Sequence, residues 1–367
     1  MKIAYLCLDP GIPVFGSKGA SVHIQEVVRE LLALGHQVKI FAIRSGDQVP
    51  ADLADIDCSF YPLSSKDPLE REKGQQLVSE KICADLQAWG ADFIYERYSL
   101  LSTALADSQL PGVLEVNAPL IDEQKKHRIL VLEDQAQAAL QAQAQAARLV
   151  VAVSDQVGSW VQQAVPQAKV ITVANGVSIN RIRPSAEAAG LPIVTFVGTL
   201  KPWHGVADLI SAAALAQKKW QLRILGDGPE FQALKEQAQQ LGLTVDFQGA
   251  ISPEEMPQRL AGSALGVAPY PAASQEEEHY FSPLKVYEYL AAGLPVVATS
   301  IGQIPDIIQG AGLLVPGSDP QALAQAIDQL VANPALRARY GARARQLAEE
   351  KHSWSQVVAT ILQAAGV

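Results

Sequence analysis

Tyr280-Phe281-Ser282-Pro283-Leu284-Lys285-Val286-Tyr287-Glu288-Tyr289-Leu290-Ala291-Ala292-Gly293-Leu294-Pro295-Val296-Val297 encodes a helix followed at once by a strand. Ser282 suits an N-cap and Pro283 the first helical position, where its missing N–H costs nothing. Gly293 closes the helix, and the apolar run from Pro295 to Ala298 predicts a buried strand. The helix start leaves N–H groups of Ser282, Leu284 and Lys285 without intrahelical acceptors, and such an end favours an anion such as a diphosphate. Glu288 lies four residues past Leu284, on the same face, where its carboxylate could accept from a ribose hydroxyl. On local chemistry alone, an ordinary capped helix with a solvated glutamate is the plainer account.

The same grammar runs outward in both directions. Short β-branched runs alternate with helix-length amphipathic stretches, the pattern of parallel sheets. Strands are predicted at Lys2–Leu8, Gln37–Ile43, Asp92–Tyr95, Val113–Val116, Leu149–Val153 and Val170–Val173. After Ile179-Asn180-Arg181-Ile182-Arg183-Pro184, a hinge signal, the alternation restarts at Ile193–Val197, Gln221–Leu225, Val245–Gln248, Leu265–Ala268, Pro295–Ala298 and Gly312–Val315. Gly19–Leu34 carries a helical apolar stripe ending at Gly35, and the Ala/Gln tract predicts one long helix over about Asp122–Ala147. The fold class expected is therefore α/β: two Rossmann-like domains, residues 1–180 and 181–351, whose parallel sheets face each other across a cleft. Ligands of such sheets sit beyond the carboxyl ends of the strands.

Composition narrows the function. Of 367 residues, 49% are hydrophobic and 18% charged, which suits a well-buried core and not a disordered chain. A net charge of −9 argues against a nucleic-acid partner. Cys7, Cys58 and Cys83 have no metal-type spacing and read as reduced thiols, so a cytoplasmic setting is expected. The first strand is apolar only briefly before Asp9 and Pro10, unlike a signal peptide, and no run approaches the ~18 residues of a membrane span. Lys125-Lys126-His127-Arg128 is a short basic cluster; a solvated helix turn explains it more simply than weak peripheral membrane contact. The histidines show no zinc-type spacing, so no metal site is expected, and His23 reads as an ordinary helix-face histidine.

Three further turns stand where strands end. Phe196-Val197-Gly198-Thr199-Leu200-Lys201-Pro202-Trp203-His204-Gly205 puts Lys201 and His204 at a strand's carboxyl end, where a cation would meet a leaving diphosphate. Histidine supplies a charge there only if protonated. Leu225-Gly226-Asp227-Gly228-Pro229-Glu230 fits either a nucleotide approach or a tight strand-to-helix connection. Gly16-Ser17-Lys18-Gly19 could present amides to phosphates, or be a flexible turn; it lacks the P-loop spacing.

Taken in order, the glycine loop, "GHQV", "VSD", "NGV", "FVGTLKPWHG", "LGDGPE", "FQGAISPEEMP" and "YFSPLKVYEYLAAGLPVVAT" resemble the family 4 glycosyltransferases, retaining enzymes of the GT-B fold, across nearly the whole chain. The resemblance implies that residues 181–351 hold a nucleotide-diphosphate sugar, with UDP or GDP expected as the nucleotide. Residues 1–180 would hold a small-molecule, glycan or lipid acceptor, with the helix in 352–367 packing back on them. It implies that Glu288 binds the ribose, Lys201 and His204 take the diphosphate clamp, and Tyr280, Phe281, Ser282, Pro283 and Leu284 line the donor. Gly198 would flank the clamp, Gly226, Gly228, Pro229, Ala250 and Ile251 would border the base, and Gly16 and Gly19 would face the phosphates. Arg97 and Asn117 fall on the acceptor side. This sequence departs from the family at Tyr280, where a glutamate is common, at Asn117, where a histidine is frequent, at Ser178, and at the clamp itself. The activity implied is metal-independent hexosyl transfer with retention and no cofactor. A sugar-nucleotide epimerase or hydrolase, or an inactive nucleotide or glycan binder, remain the alternatives on the same scaffold.

Overall fold

The computed structural model describes residues 1–272 and 280–367. The chain divides into two compact units: Met1–Asn175 with Tyr280–Ser282 and Val357–Val367, and Gly176–His279 with Pro283–Gln356. The first boundary thus falls after Asn175, a few residues before the hinge read from the sequence, and three residues from the middle of the chain group with the first unit.

The first unit is a seven-stranded parallel sheet in the order β3-β2-β1-β4-β5-β6-β7. Its strands are β1 (Lys2–Cys7), β2 (Gln37–Ala42), β3 (Asp57–Phe60), β4 (Phe93–Arg97), β5 (Gly112–Val116), β6 (Leu149–Ala152) and β7 (Val170–Thr172). Central strands are buried end to end because helices cover both faces, which is why they read as unbroken apolar runs. The helices beside them include α1 (Gly19–Ala33) and α2 (Pro68–Trp89). Strand β3 and helix α2 were not anticipated. The expected helix over 122–147 is two, α4 (Leu120–His127) and α5 (Glu133–Ala146). Arg128 turns extended between them, and the Glu72 carboxylate of α2 accepts from the N–H groups of Val131 and Leu132. A side chain from elsewhere thus satisfies the start of α5, and the chain has no need to remain helical through Ile129–Leu132.

The second unit is a six-stranded parallel sheet, β10-β9-β8-β11-β12-β13. It comprises β8 (Ile193–Val197), β9 (Gln221–Leu225), β10 (Val245–Phe247), β11 (Leu265–Ala268), β12 (Val296–Thr299) and β13 (Gly312–Val315). In each sheet the strand order reverses once, at β1/β4 and at β8/β11, and open α/β sheets hold ligands outside such switch points.

Helix α10 (Leu284–Ala291) is fixed at the second switch point by one side chain. The buried Tyr289 hydroxyl donates to the Val267 carbonyl of β11 at 3.1 Å and accepts from the Val197 N–H of β8 at 2.8 Å. Gly266 makes room for it: a Cβ there would lie 2.3 Å from the Tyr289 ring. Tyr289→Phe strands the Val197 N–H in a dry interior, and a loss of ~1–3 kcal/mol of unfolding free energy is expected by urea titration. Two residues on, the Arg345 guanidinium donates to the carbonyls of Ala291 at 2.8 Å, Ile182 at 3.0 Å and Ile179 at 3.1 Å. The last turn of the helix is therefore held twice.

Candidate functional site

The carboxyl ends of β8, β9 and β10 carry loops that lock into one another. Gly198 N–H donates to Leu225 O at 2.9 Å, and Leu200 N–H to Asp227 O at 3.0 Å. A bridge pairs Gly226 with Gly249, which brings Ala250 and Ile251 beside the same turn. A Cβ at Gly226 would sit 1.9 Å from Gly198 O, and one at Gly228 2.5 Å from Leu200 O. The glycines of "LGDGPE" are thus required by loop packing; the exposed Pro229 follows them. Tight connection and candidate base border are the same backbone.

Lys201 and His204 leave this turn on a short 3-10 segment, Pro202–His204. The half-buried Lys201 ammonium lies 4.6 Å from the centre of the exposed Trp203 ring. His204 Nδ1–H donates to the Thr199 carbonyl. Burial, with the nearby positive charges of Lys285 and Lys201, pushes the imidazole down to about 4. Without a bound anion His204 is therefore neutral near pH 7, so the clamp charge that the resemblance implies there is absent in the free protein.

Helix α10 starts one residue later than expected. Pro283 occupies the cap position, and Ser282 makes no cap: its hydroxyl accepts from Asn175 N–H at 3.1 Å, while its carbonyl accepts from Asn175 Nδ2 at 3.1 Å. Since Val286 N–H bonds to Pro283 O, the amides of Leu284 and Lys285 are the ones left at the helix start. One turn on, burial raises the Glu288 carboxyl to about 7, against the pull of Arg181 and Lys285.

Lys285 itself was read only as an amide, yet its side chain is 6% exposed. Its ammonium lies between the rings of Phe196 at 4.5 Å and Tyr270 at 4.6 Å and has no hydrogen-bond acceptor among the described residues. The available signal was that Lys285 and Glu288 are the charged residues of an otherwise apolar helix.

In the first unit, the Gly16–Gly19 loop follows β1. Gln25 Nε2 donates to the carbonyls of Val14 and Gly16, and Ser21 Oγ to Pro13 O at 2.6 Å, so this loop is tied down by α1. Arg97 ends β4, opposite Glu115 of β5, and Asn117 follows β5. Arg97 Nη1, Glu115 Oε2 and Asn117 Oδ1 are buried without hydrogen-bond partners among the described residues. His23, on the buried face of α1, belongs here: Nε2 lies 2.9 Å from Glu115 Oε1, and Nδ1 lies 2.9 Å from Asn175 Oδ1. Burial would raise the Glu115 carboxyl, but His23, Arg97 and a hydrogen bond from Tyr95 together hold it below the usual range. Tyr280, in the place of the family's common glutamate, donates its hydroxyl to Glu123, and Phe281 is half-buried beside it in sequence.

The structure therefore gathers Gly198, Lys201, His204, Gly226, Gly228, Ala250 and Ile251 at neighbouring strand ends, and brings Gly198 and His204 near Lys285 of α10. It places Gly16, Gly19, Arg97, Asn117, Tyr280, Phe281 and Ser282 in the other unit.

Residues 17–181 match the family described as Glycosyltransferase Family 4, and residues 178–347 match Glycosyl transferases group 1. An exopolysaccharide phosphotransferase of Streptomyces coelicolor is 27% identical over 86% of this chain, which spans 36% of that relative's length. A phosphatidyl-myo-inositol mannosyltransferase of Mycobacterium leprae is 29% identical over 58% of the chain and 57% of its own length. Among solved structures, Anabaena HepE in complex with UDP superposes with a TM-score of 0.74 at 20% identity, covering 100% of both chains. With both family matches in sequence and this likeness in fold, the chain belongs to the family 4 glycosyltransferases, with the GT-B fold.

Proposed function

We propose that this chain is a retaining, metal-independent hexosyltransferase that takes its sugar from a UDP or GDP donor. The observation that carries the reading is the β8/β11 switch point. Interlocked loops, Lys201 and the free amides of α10 are all placed there, with Glu288 one helical turn away. Breaking the bond between sugar and diphosphate builds negative charge on the leaving phosphate. Fixed N–H groups and cations aimed at that charge stabilise the transition state without a metal. Glu288 would accept from the ribose, and the Gly226–Gly228 and Ala250–Ile251 backbone would border the base. Retention follows from attack on the face the diphosphate leaves, with a departing phosphate oxygen taking the acceptor's proton. No protein nucleophile is assigned.

A small-molecule, glycan or lipid acceptor would meet Arg97 and Asn117, whose buried polar atoms await partners. No helix of the described residues is long and apolar enough to cross a membrane. Three unpaired cysteines suit a reducing compartment such as the cytoplasm.

A thermal-shift panel of UDP, GDP and ADP sugars, with and without chelator, tests the donor. A ligand at a hundredfold excess over its Kd adds ~2.7 kcal/mol to the native state. One responding base whose shift survives chelation is expected, and loss of the shift on chelation would overturn metal independence. NMR of the product's anomeric centre tests retention; an inverted centre would refute it. Epimerised or simply hydrolysed donor, unaffected by any acceptor, would favour the non-transferase reading.

A further inference from the structure

A lysine ammonium has three donors and a full charge, and burying it without an acceptor is among the costlier placements in a folded protein. Lys285 is so placed. Phe196 and Tyr270 present their rings to it at 4.5 and 4.6 Å, which offsets part of the lost hydration. Neither ring replaces a hydrogen-bond acceptor. On a third side lies Gly198, with φ +141, at the carboxyl end of β8. A Cβ at that position would stand 3.1 Å from Lys285 Cε and 3.2 Å from Nζ, so only a glycine lets the end of β8 pack this close to the buried ammonium, and a ligand at that strand end reaches it after a small shift of the lysine side chain. The loop above it has lost one of its two expected charges, because His204 is neutral.

We propose that Lys285 is the cation through which this chain grips the donor's diphosphate, and that it takes a proton from solvent as the diphosphate binds. The inference rests on the nucleotide-sugar reading above and assigns to the α10 helix a charge that the family resemblance implies on the loop. Before binding, burial lowers the Lys285 ammonium to about 7, with Glu288 pulling the other way. A phosphate oxygen within hydrogen-bond reach favours the charged form, so the bound lysine is protonated where the free one is not. The groups around it are His204 from the turn after β8, with Lys201 acting on that histidine, Tyr270 after β11, and Glu288 on its own helix, which Arg181 also attracts. His204 has already lost its proton well below neutrality, and Glu288 is ionised above about pH 7, so at about pH 8 Lys285 is the group left to take one up.

Calorimetric titration of the whole chain with UDP-glucose, GDP-mannose and ADP-glucose tests this. These diphosphates are diesters and do not titrate near neutrality. At about pH 8, heats in Tris and in HEPES should differ by the uptake of close to one proton, and affinity should weaken roughly tenfold from pH ~7.5 to pH ~8.5. Lys285→Met should fold with a raised unfolding midpoint, since it removes a buried amine that has no hydrogen-bond acceptor, while losing roughly a hundredfold in affinity together with the proton uptake. Lys285→Arg, permanently charged, should bind without uptake and with the alkaline weakening gone. Binding by wild type without proton uptake, or Lys285→Met binding as tightly as wild type, would overturn the inference and leave the donor reading standing. No binding of any of the three sugars would overturn both.

Discussion

Lys201→Ala is expected to lower kcat for sugar transfer by roughly 10²–10³-fold, the usual consequence of removing one fixed stabiliser of a developing oxyanion. The unfolding midpoint should move little. Its backbone is held independently of the side chain: Lys201 N–H bonds to Thr199 O, and Leu200 is pinned by Asp227 on one side and Glu230 on the other. Its ammonium makes no ion pair among the described residues and rests against Trp203, a contact worth ~0.5–1 kcal/mol at an exposed site. The charge is thus available to a ligand and contributes little to the fold. Because the leaving phosphate gains charge only as the bond breaks, the loss should fall on kcat more than on KM. Lys201→Arg should recover most of the rate, while Trp203→Ala, which removes only the supporting ring, should cost several-fold at most. Initial rates with the responding nucleotide sugar decide the matter; a wild-type kcat in Lys201→Ala would remove the residue from the machinery.

Parts of this site are legible in the sequence because they are written in local chemistry. The Gly293 stop and the apolar strand after it mark α10 and β12 within a residue or two, and Gly198 and Gly226 mark strand ends. What could not be read depends on residues far apart in sequence. Ser282 looks like a helix cap until Asn175, more than a hundred positions away, is found donating to its hydroxyl. Helix α2 shows no apolar stripe because its buried face includes Glu72, Gln75 and Ser79 as well as Ile82 and Leu86. Glu72 is in turn the reason α4 and α5 are separate. Lys285 is the sharpest case: lysine is the residue least expected in a core, and only the packing of Phe196 and Tyr270 around it reveals that this one is inside. Likewise His204 looked like a cation, and its environment removes the proton.

Glu288 gives the second large effect, and its sign with pH follows from its surroundings. Burial raises its carboxyl to about 7, partly countered by Arg181 and Lys285. A ribose diol donates hydrogen bonds, so the form that binds donor is the carboxylate. Below about pH 7 the free protein must lose a proton from Glu288 before it can bind, and donor affinity should fall as pH falls through that range. Above it, the demand for a protonated Lys285 weakens binding again, so affinity should peak near neutrality. Glu288→Gln should abolish the acid limb and leave the alkaline one. It should also cost roughly tenfold to a hundredfold in kcat/KM, the ~1.5–3 kcal/mol typical of a hydrogen bond to a charged group. Stability runs the other way. A carboxyl with a raised native pKa favours the folded state most fully at acid pH, and that contribution is lost as pH rises from the unfolded value through about 7. Wild type should therefore lose stability relative to Glu288→Gln between about pH 4.5 and pH 7, just where its affinity for donor is rising. Urea titrations and donor calorimetry across that interval measure the two trends on one pair of proteins. Parallel profiles for wild type and Glu288→Gln would remove Glu288 from the donor site, whereas opposed trends would mark a group kept for binding at the expense of the fold.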